Sequence, residues 1–435
     1  MLKLIKANQK DFLLKLDIIL QKRKLQNPKI DKKVKSIIQD VKKNKDKALI
    51  KYERKYSKLK NISTSNIKFS ITEKNKIIKK LDKKTKASID LAFIRILNFH
   101  KRQKLTTYSF RDKFKNFFAY KSTALNRVGV YVPGGRASYP SSVLMNCIPA
   151  LVAGVKEIYM TTPAMNKFYN PAVIYAAQKC GVKEIYKVGG SQAIAAMAYG
   201  TNTIQKVDKI VGPGNIFVAN AKKQVFGDVG IDMIAGPSEV TIVADKSSKP
   251  DWIAADLIAQ AEHDETSQSI IIADDVKIIK KINYFLLQQL KTLPKRSIAS
   301  KSLKNFGLSI LVTKQKLLIE IINLIAPEHL EISTKNANNI FKNVQNAGSI
   351  FLGEYSPEAV GDYLAGPNHV LPTSGSARFS SGLSVYDFLK RHSVIKMTKT
   401  GIERLGTSVI NLAEYENLEG HANSIKIRLL KRGKN

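Results

Sequence analysis

The central part of the chain, from residue 127 to residue 353, alternates short apolar segments with amphipathic segments. Val128–Val132 and Glu157–Thr161 are rich in the residues that favour strands. Segments such as Pro171–Cys180 between them are typical of helices, and the connections are short. Alternation of this kind predicts a parallel sheet with helices on both faces.

The alternation runs through two successive series. The first starts at Val128–Val132 and ends in a predicted helix over Ile216–Phe226. The second starts at Val240–Ala244 and ends in a predicted strand over Ser349–Gly353. Residues 1 to about 110, and the tail from about Tyr386, are predicted to be helical. We therefore expect two similar α/β units with helical regions at both ends.

Length and composition limit the class of protein. A chain of 435 residues predicts about three domains, and 44% hydrophobic residues can form sizeable cores. The two cysteines, Cys147 and Cys180, form no metal-binding pattern and indicate no disulfide framework, which favours the cytoplasm. No apolar run has the length of a signal peptide or of a membrane span, so we expect a soluble protein without membrane contacts.

The formal net charge of +37 has two interpretations. A strongly basic chain can bind nucleic acid or an anionic surface. Alternatively, lysine simply covers the solvated faces, since lysine greatly outnumbers arginine here. Readers of bases use arginine for bidentate contacts, and no known nucleic-acid motif occurs. We therefore expect no specific nucleic-acid partner.

Three predicted strands end in glycine-rich loops, over residues 132–136, 188–192 and 211–215. Ligands bind at the carboxyl ends of strands in open α/β sheets, and glycine lets the backbone approach a phosphate. None of the three loops fits G-x-G-x-x-G. In the third loop, which starts with Gly212 and Gly214, Phe217 takes the place of the third glycine. No Walker A motif is present either. The loops indicate either an irregular dinucleotide site or ordinary α/β turns.

Carboxylates, imidazoles and an amide recur in the second half of the chain. Gln260 and His263 fall on one face of a predicted helix, and Asp362 and His369 fall in a predicted loop. Near the end of the chain come Glu416 and His421. Nitrogen and oxygen ligands without thiolate suit zinc or a similar divalent ion. Because the residues are scattered, a set of solvated polar side chains is the alternative.

Glu328 and His329 are adjacent and lie between apolar residues, directly after Pro327. Two ionisable groups in an apolar setting must be solvated, paired, bound to a metal or used in chemistry. A histidine that titrates near neutrality suits the role of a base, and a carboxylate beside it can activate water. The alternative is a structural ion pair at a helix end.

These residues lie in segments that resemble the histidinol dehydrogenase family. The segments cover residues 128–135, 189–195, 212–215, 235–240, 260–263, 326–330, 361–362, 366–369 and 416–421. They occur in order over nearly the whole chain, from about residue 20 onward. The basic N-terminal region departs most from the family and carries no predicted site residue.

The resemblance implies a fold of two incomplete Rossmann-like α/β/α domains with small helical terminal segments. The implied parts are an N-terminal helical segment (1–25), a zinc and substrate domain (26–125 and 238–383), an NAD-binding domain (126–237) and a C-terminal helical segment that contacts the partner subunit (384–435). It also implies a homodimer with one zinc ion per subunit. The implied reaction is the oxidation of L-histidinol to L-histidine by two NAD+, through an aldehyde.

The resemblance further implies a role for each site residue. Zinc would be bound by Gln260, His263 and Asp362 of one subunit and by His421 of the partner subunit. NAD would contact Tyr131, Gln192 and Asn215. Substrate would contact Ser238, His369 and Glu416, together with His329 and the four zinc ligands. His329 would be the base for alcohol oxidation, and Glu328 would activate water for aldehyde oxidation.

Two other enzyme classes fit parts of this pattern. A related dehydrogenase would keep the fold and act on another small hydroxylated compound. A zinc hydrolase would use Glu328 to activate a metal-bound water, but it would leave the glycine-rich strand ends unexplained.

Overall fold

A computed structural model describes residues 2–21, 23, 28–103, 107–134, 139–164, 168–234 and 236–430. The predicted glycine-rich loop at 132–136 lies partly outside them, at Gly135 and Arg136. The chain divides into two compact units. The first unit comprises Met1–Gln103 and Leu125–Phe388, and the second comprises Lys104–Ala124 and Leu389–Asn435.

The secondary-structure elements are numbered in chain order. The strands are β1 (Lys3–Lys6), β2 (Tyr108–Arg111), β3 (Phe117–Ala124), β4 (Arg127–Tyr131), β5 (Glu157–Thr161), β6 (Glu184–Tyr186), β7 (Lys209–Val211), β8 (Gly230–Ile231), β9 (Glu239–Ala244), β10 (Gln268–Ala273), β11 (Leu308–Leu311), β12 (His329–Ser333), β13 (Ser349–Leu352) and β14 (Leu389–Lys396). The helices are α1 (Phe12–Gln21), α2 (Pro28–Tyr56), α3 (Ile71–Ile78), α4 (Lys83–His100), α5 (Pro140–Ala153), α6 (Pro171–Lys179), α7 (Gly190–Tyr199), α8 (Ile216–Val225), α9 (Pro250–Ala261), α10 (Val276–Leu290), α11 (Arg296–Phe306), α12 (Gln315–Ile325), α13 (Ala337–Phe341), α14 (Glu358–Tyr363), α15 (Lys399–Tyr415) and α16 (Glu419–Leu429).

A six-stranded parallel sheet, in the order β1-β11-β10-β9-β12-β13, lies in the first unit. Every residue of β9, β10 and β12 is buried. Successive side chains of β10 enter opposite cores, since Ile271 packs with α9 and α10 while Ile270 packs with α1 and α12. Burial on both faces explains why these strands read as continuous apolar runs.

A five-stranded parallel sheet, in the order β6-β5-β4-β7-β8, lies in the same unit. Its core includes Tyr131 and Met197 and also takes in Val34 and Leu49 from α2. The helix α2 therefore packs on α7 and α8 beside this sheet. The two parallel α/β sheets confirm the predicted fold class.

The second unit contains an antiparallel sheet, in the order β14-β3-β2, and the helices α15 and α16, which pack on each other. The strand β14 corrects the prediction of a helical tail. Most of its side chains are exposed, so it carries no alternation of apolar and polar residues that would mark a strand.

Other elements also depart from the sequence prediction. The edge strand β1 and the strand β2 interrupt a region that was predicted to be helical, and α11 follows α10 where no helix was predicted. Both strands have only four residues and are largely exposed, so they give little periodic signal. Within the described residues, no helix combines the length and the apolar character that are needed to cross a membrane.

A buried ion pair links the segment before α2 to the start of β9. The Arg23 guanidinium donates to Glu239 Oε1 at 2.6 Å and to Gln268 Oε1 at 2.9 Å. It also donates to the carbonyl oxygens of Pro237 and Ser238. Both charged side chains are at least nine-tenths buried. One arginine therefore fixes the backbone that leads into β9.

We predict that Arg23→Met lowers the free energy of unfolding by about 3–5 kcal/mol, because it leaves the Glu239 carboxylate buried without its cation. The matched control is Lys51→Met, which removes the pair of an exposed lysine with Asp40 and costs less than about 1 kcal/mol. Urea unfolding followed by circular dichroism measures both. Equal losses from the two substitutions would contradict the structural role of Arg23.

Candidate active site

The predicted acid/base pair lies where β9 and β12 begin. These strands pair in parallel with His329 opposite Val240. The pair is therefore at the amino ends of the strands of the six-stranded sheet, whereas ligands were expected at carboxyl ends. The helix α9 ends in Gln260 and Ala261, and a helix that connects parallel strands runs back towards their amino ends. The predicted ligand Gln260 thus approaches the same edge.

The backbone of one residue of β9, Glu239, holds both members of the pair. The Glu239 N–H donates to Glu328 Oε2 at 2.8 Å, and His329 Nδ1 lies 3.0 Å from the Glu239 carbonyl oxygen. A carbonyl oxygen only accepts, so Nδ1 carries the proton and Nε2 keeps its lone pair. The two side chains approach each other only to 3.7 Å. They are held by the backbone rather than by a hydrogen bond to each other.

Burial sets the protonation of this pair. Glu328 and His329 are both more than nine-tenths buried. Burial lowers the pKa of His329 to about 3, so the imidazole is neutral near neutral pH. Burial and the nearby Glu239 carboxylate raise the pKa of Glu328 well above its usual value. The neutral imidazole has a free lone pair at Nε2, although its lowered pKa makes it a weak base, whereas the raised pKa makes the ionised form of Glu328 a stronger base than usual.

The backbone that enters the pair is constrained. The helix α12 ends at Ile325, and Ala326 adopts the left-handed conformation with φ of 47°. Such a conformation in a residue other than glycine costs of order 1–3 kcal/mol. The Gly348 N–H then donates to the Pro327 carbonyl oxygen at 2.8 Å, and Ser349 N–H donates to the Glu328 carbonyl oxygen at 2.9 Å. These bonds fix the direction of the Glu328 side chain.

Gln260 and His263 are in contact, but not as two residues of one helix. The helix α9 ends at Ala261, and His263 lies beyond it, because Glu262 caps the helix. His263 Nδ1 lies 2.9 Å from Gln260 Oε1. The Gln260 Nε2 group donates to Glu358 Oε1 at 3.0 Å. The predicted pairing of Gln260 with His263 therefore holds, with a different local structure from the one expected.

Asp362 and His369 lie beside the pair. Asp362 belongs to α14 rather than to the predicted loop, and its Oδ1 lies 3.9 Å from His329 Nε2 and 3.7 Å from His369 Nδ1. Burial raises the pKa of Asp362 to about 7 and lowers that of His369 to about 4. The Asn368 side chain donates to the Met145 carbonyl oxygen at 2.6 Å. This bond ties the His369 loop to α5, the helix that follows β4.

A cavity of about 350 Å³ opens beside these residues. Its lining includes His329, Phe351, Gly361 and His369. A volume of this size fits a small organic molecule. The predicted substrate contact Ser238 immediately precedes Glu239, and its carbonyl oxygen accepts from the Gln268 N–H at 3.0 Å. The structure thus brings together Ser238, Gln260, His263, Glu328, His329, Asp362 and His369 around the edge of one sheet.

Glu358 belongs to the same group and was missed in the sequence. It is buried, it begins α14, and it lies four residues before Asp362 on that helix. Within the described residues, His329, Glu358 and Asp362 each offer a possible metal-ligand atom within 4.8 Å of the others. The available signal in the sequence was the i, i+4 spacing of Glu358 and Asp362, which places both carboxylates on one face of a helix. This signal was not used because the segment was expected to form a loop.

Glu416 and His421 belong to the second unit. Glu416 caps the end of α15, His421 lies in α16, and both are exposed in the single chain. Their predicted roles involve the partner subunit, so these roles stay predictions.

The predicted NAD residues lie at the carboxyl edge of the five-stranded sheet. The chain runs from β4 outward to β5 and β6, then returns to β7 on the other side of β4. Ligands bind at such a reversal of strand order. The Tyr131 hydroxyl accepts from the Gly190 N–H at 3.2 Å, and Asn215 caps α8 by accepting from two of its N–H groups. Tyr131 is the last residue of β4 and Asn215 follows β7, the two adjacent strands at which the order reverses.

Two buried charged groups shape these loops and were not predicted. Glu53 of α2 accepts from Gly189 N–H at 3.0 Å and from Gln192 Nε2 at 2.8 Å. The N-terminal region therefore holds one of the predicted NAD loops in place, a contact that no sequence pattern indicated. The N–H groups of Gly189 and Gly190 and the Gln192 side-chain NH2 group already donate hydrogen bonds within the protein. These donors are therefore not all available to bind a phosphate.

The second group is the ion pair of Lys222 and Asp232, which is fully buried. Lys222 Nζ donates to the Gly212 carbonyl oxygen at 3.0 Å, and Asp232 accepts from the Gly212 N–H at 2.8 Å. Gly212 has φ of +115°, and a Cβ there would overlap the Tyr131 carbonyl oxygen. Only glycine fits, and the ion pair holds this turn from both sides.

Comparisons with known proteins show which family this chain belongs to. The histidinol dehydrogenase family profile matches residues 20–429. A histidinol dehydrogenase of Pelagibacter ubique is 54% identical over 430 residues, covering 99% of both chains. One of Clostridium acetobutylicum is 48% identical and covers 93% of both. A crystal structure of histidinol dehydrogenase from Elizabethkingia anophelis superposes with a TM-score of 0.93 at 37% identity, covering 98% of both chains. The chain belongs to the histidinol dehydrogenase family.

Proposed function

We propose that this chain oxidises L-histidinol to L-histidine with two molecules of NAD+, through L-histidinaldehyde, as the last step of histidine biosynthesis. The family assignment supports the reaction class. The observation that carries the chemistry is the backbone of Glu239, which holds a neutral His329 and the Glu328 carboxyl group side by side, with His329 lining the cavity. Two protein bases at one site suit two successive oxidations.

His329 serves the first oxidation. Its Nδ1–H is engaged with the Glu239 carbonyl oxygen, so Nε2 is the basic atom. Nε2 takes the proton of the substrate hydroxyl while the carbon transfers a hydride to NAD+. The products are the aldehyde, NADH and an imidazolium that must release its proton before the next cycle. Because burial makes His329 a weak base in the free chain, that proton is readily released.

Glu328 serves the second oxidation. It takes a proton from water as the water oxygen bonds to the aldehyde carbon, and it returns that proton to the former carbonyl oxygen, which gives the hydrate. It then accepts one hydroxyl proton of the hydrate while the carbon transfers a hydride to a second NAD+, and the remaining product is the carboxylic acid. Burial raises the pKa of Glu328 from its ordinary value and so makes its carboxylate a stronger base. The surrounding apolar side chains keep bulk water from the aldehyde.

A divalent cation fits the residues of this site. Glu358 and Asp362 are carboxylates in a buried setting, and within the described part of the chain no lysine or arginine pairs with either. Glu358 Oε2 is buried without a hydrogen-bond partner among the described residues. Gln260, His263 and Asp362, with His421 of the partner subunit, would hold zinc. Zinc would orient the substrate through its imidazole and amine groups.

Several finer assignments form part of the proposal. NAD contacts Tyr131, Gln192 and Asn215, and substrate contacts Ser238 and His369. The chain acts as a cytoplasmic homodimer in which the partner's Glu416 and the partner's His421 complete the site. The division at residues 25, 125, 237 and 383 also stays a prediction, and α2 packs beside the five-stranded sheet although it was assigned to the zinc and substrate domain.

We predict two NADH per L-histidinol, with activity lost on chelation and restored by zinc. The reason is that substrate orientation would depend on the ion, while the fold depends on the protein cores. Absorbance at 340 nm with limiting histidinol measures the stoichiometry, and circular dichroism verifies that the chelated chain stays folded. If the folded, zinc-loaded protein forms no NADH from histidinol, the substrate assignment is wrong, and other small alcohols become the candidate substrates.

We predict that His329→Asn and Glu328→Gln affect different steps. His329→Asn removes the base for the alcohol and should slow its oxidation about 10²–10⁴-fold. Glu328→Gln can still accept from the Glu239 N–H, so it should spare alcohol oxidation more than aldehyde oxidation. Rapid-mixing measurements of NADH formation, with histidinol and with histidinaldehyde as separate substrates, resolve the two. Equal losses in both steps for both variants would contradict the division of labour.

We predict that a mixture of His263→Ala and His421→Ala chains regains activity. Each homodimer lacks one proposed zinc ligand in both sites, whereas a heterodimer has one site with both substitutions and one with neither. About a quarter of wild-type activity per chain is expected after random exchange, since half of the dimers have one intact site of two. Refolding the chains together measures this, with each chain refolded alone as the control. Absence of rescue in mixed dimers would exclude shared sites.

A further inference from the structure

Glu358 contacts two residues of the proposed site without a role of its own so far. Its Oε1 accepts from Gln260 Nε2 at 3.0 Å and lies 3.6 Å from His329 Nδ1. Its own N–H donates to Glu331 Oε1 at 2.6 Å, and only 3% of the residue is exposed. The carboxylate is therefore held in place from the backbone side and meets the Gln260 amide directly.

An amide side chain binds a metal ion through its oxygen, and its nitrogen has no lone pair to offer. The two ends of Gln260 are nearly the same in shape, so its orientation must come from its hydrogen bonds. Glu358 Oε1 accepts from Nε2, and this hydrogen bond places Nε2 on the side of Glu358. Oε1 is left on the other side, 2.9 Å from His263 Nδ1.

We propose that Glu358 is a positioning residue that sets the orientation of the Gln260 amide, so that its oxygen is available to the metal ion. This inference rests on the proposed metal site. A carboxylate behind a ligand commonly fixes the geometry of that ligand, and its loss typically lowers metal affinity 10–100-fold. The competing possibility is that Glu358 is itself a ligand, as its proximity to His329 and Asp362 allows.

The two possibilities differ in how Glu358 depends on Gln260. A residue that acts through Gln260 has nothing to orient once Gln260 is removed, whereas an independent ligand keeps its effect. The test is the zinc dissociation constant of wild type, Glu358→Ala, Gln260→Ala and the double variant, measured by competition with a chromophoric chelator. We expect Glu358→Ala to weaken binding about 10–100-fold in wild type and less than about twofold in the Gln260→Ala chain.

Glu358→Gln provides the conservative variant. Its amide oxygen still accepts from Gln260 Nε2, so zinc affinity should stay within about threefold of wild type, as additive positions do. Glu354→Ala is the matched control, because Glu354 precedes α14 but is an exposed carboxylate paired with Lys249. It should leave zinc affinity unchanged. Urea unfolding of the metal-free chains separates loss of affinity from loss of fold, and Glu358→Met replaces Glu358→Ala if the latter does not fold.

Each outcome has a distinct meaning. Similar losses from Glu358→Ala with and without Gln260 would make Glu358 a direct ligand and overturn the positioning role. No loss in either background would remove Glu358 from the site altogether. If the wild-type chain itself does not bind zinc, the proposed metal site is wrong and the role of Glu358 falls with it.

Discussion

The parallel pairing of β9 with β12 is the constraint on which the site depends. It sets His329 opposite Val240, and the backbone N–H and carbonyl group of the preceding residue, Glu239, then reach both members of the predicted acid/base pair. A shift of one residue in this register would turn His329 to the opposite face of the sheet. The Arg23 guanidinium secures the same residue through the Glu239 side chain. The positions of Glu328 and His329 therefore follow from backbone pairing.

The charges of the chain are divided between surface and interior. The chain has a formal net charge of +37, yet the described interior of the site is acidic, with Glu239, Glu328, Glu358 and Asp362 close together. Burial raises the pKa of each of these carboxyl groups. Among the described residues, only Glu239 of these four has a buried arginine beside it. Burial favours the protonated form of the other three carboxyl groups, and a bound cation would favour their ionised form.

The sequence predicted those parts of the molecule that depend on local pattern. The buried strands β9 and β10 are continuous apolar runs, and Glu328 with His329 is marked by an unusual apolar setting. Arg23 and Glu53 were missed because their partners lie 216 and 139 residues away, and such contacts leave no spacing pattern in the sequence. Glu358 was missed because its segment was expected to form a loop, which hid its i, i+4 relation to Asp362. Tyr131, Gln192 and Asn215 came from family resemblance alone, since their loops fit no standard dinucleotide motif.

The same device occurs twice in the first unit. Gln192 and Gln260, one assigned to NAD and the other to zinc, each donate from Nε2 to a buried glutamate, at 2.8 Å to Glu53 and at 3.0 Å to Glu358. In each pair the carboxylate fixes the amide nitrogen and leaves the amide oxygen on the opposite side. Burial raises the pKa of both glutamates, because an apolar interior makes the ionised form of a carboxyl group less favourable. The benefit is an amide oxygen oriented before any ligand arrives, so that binding need not supply the energy of ordering it.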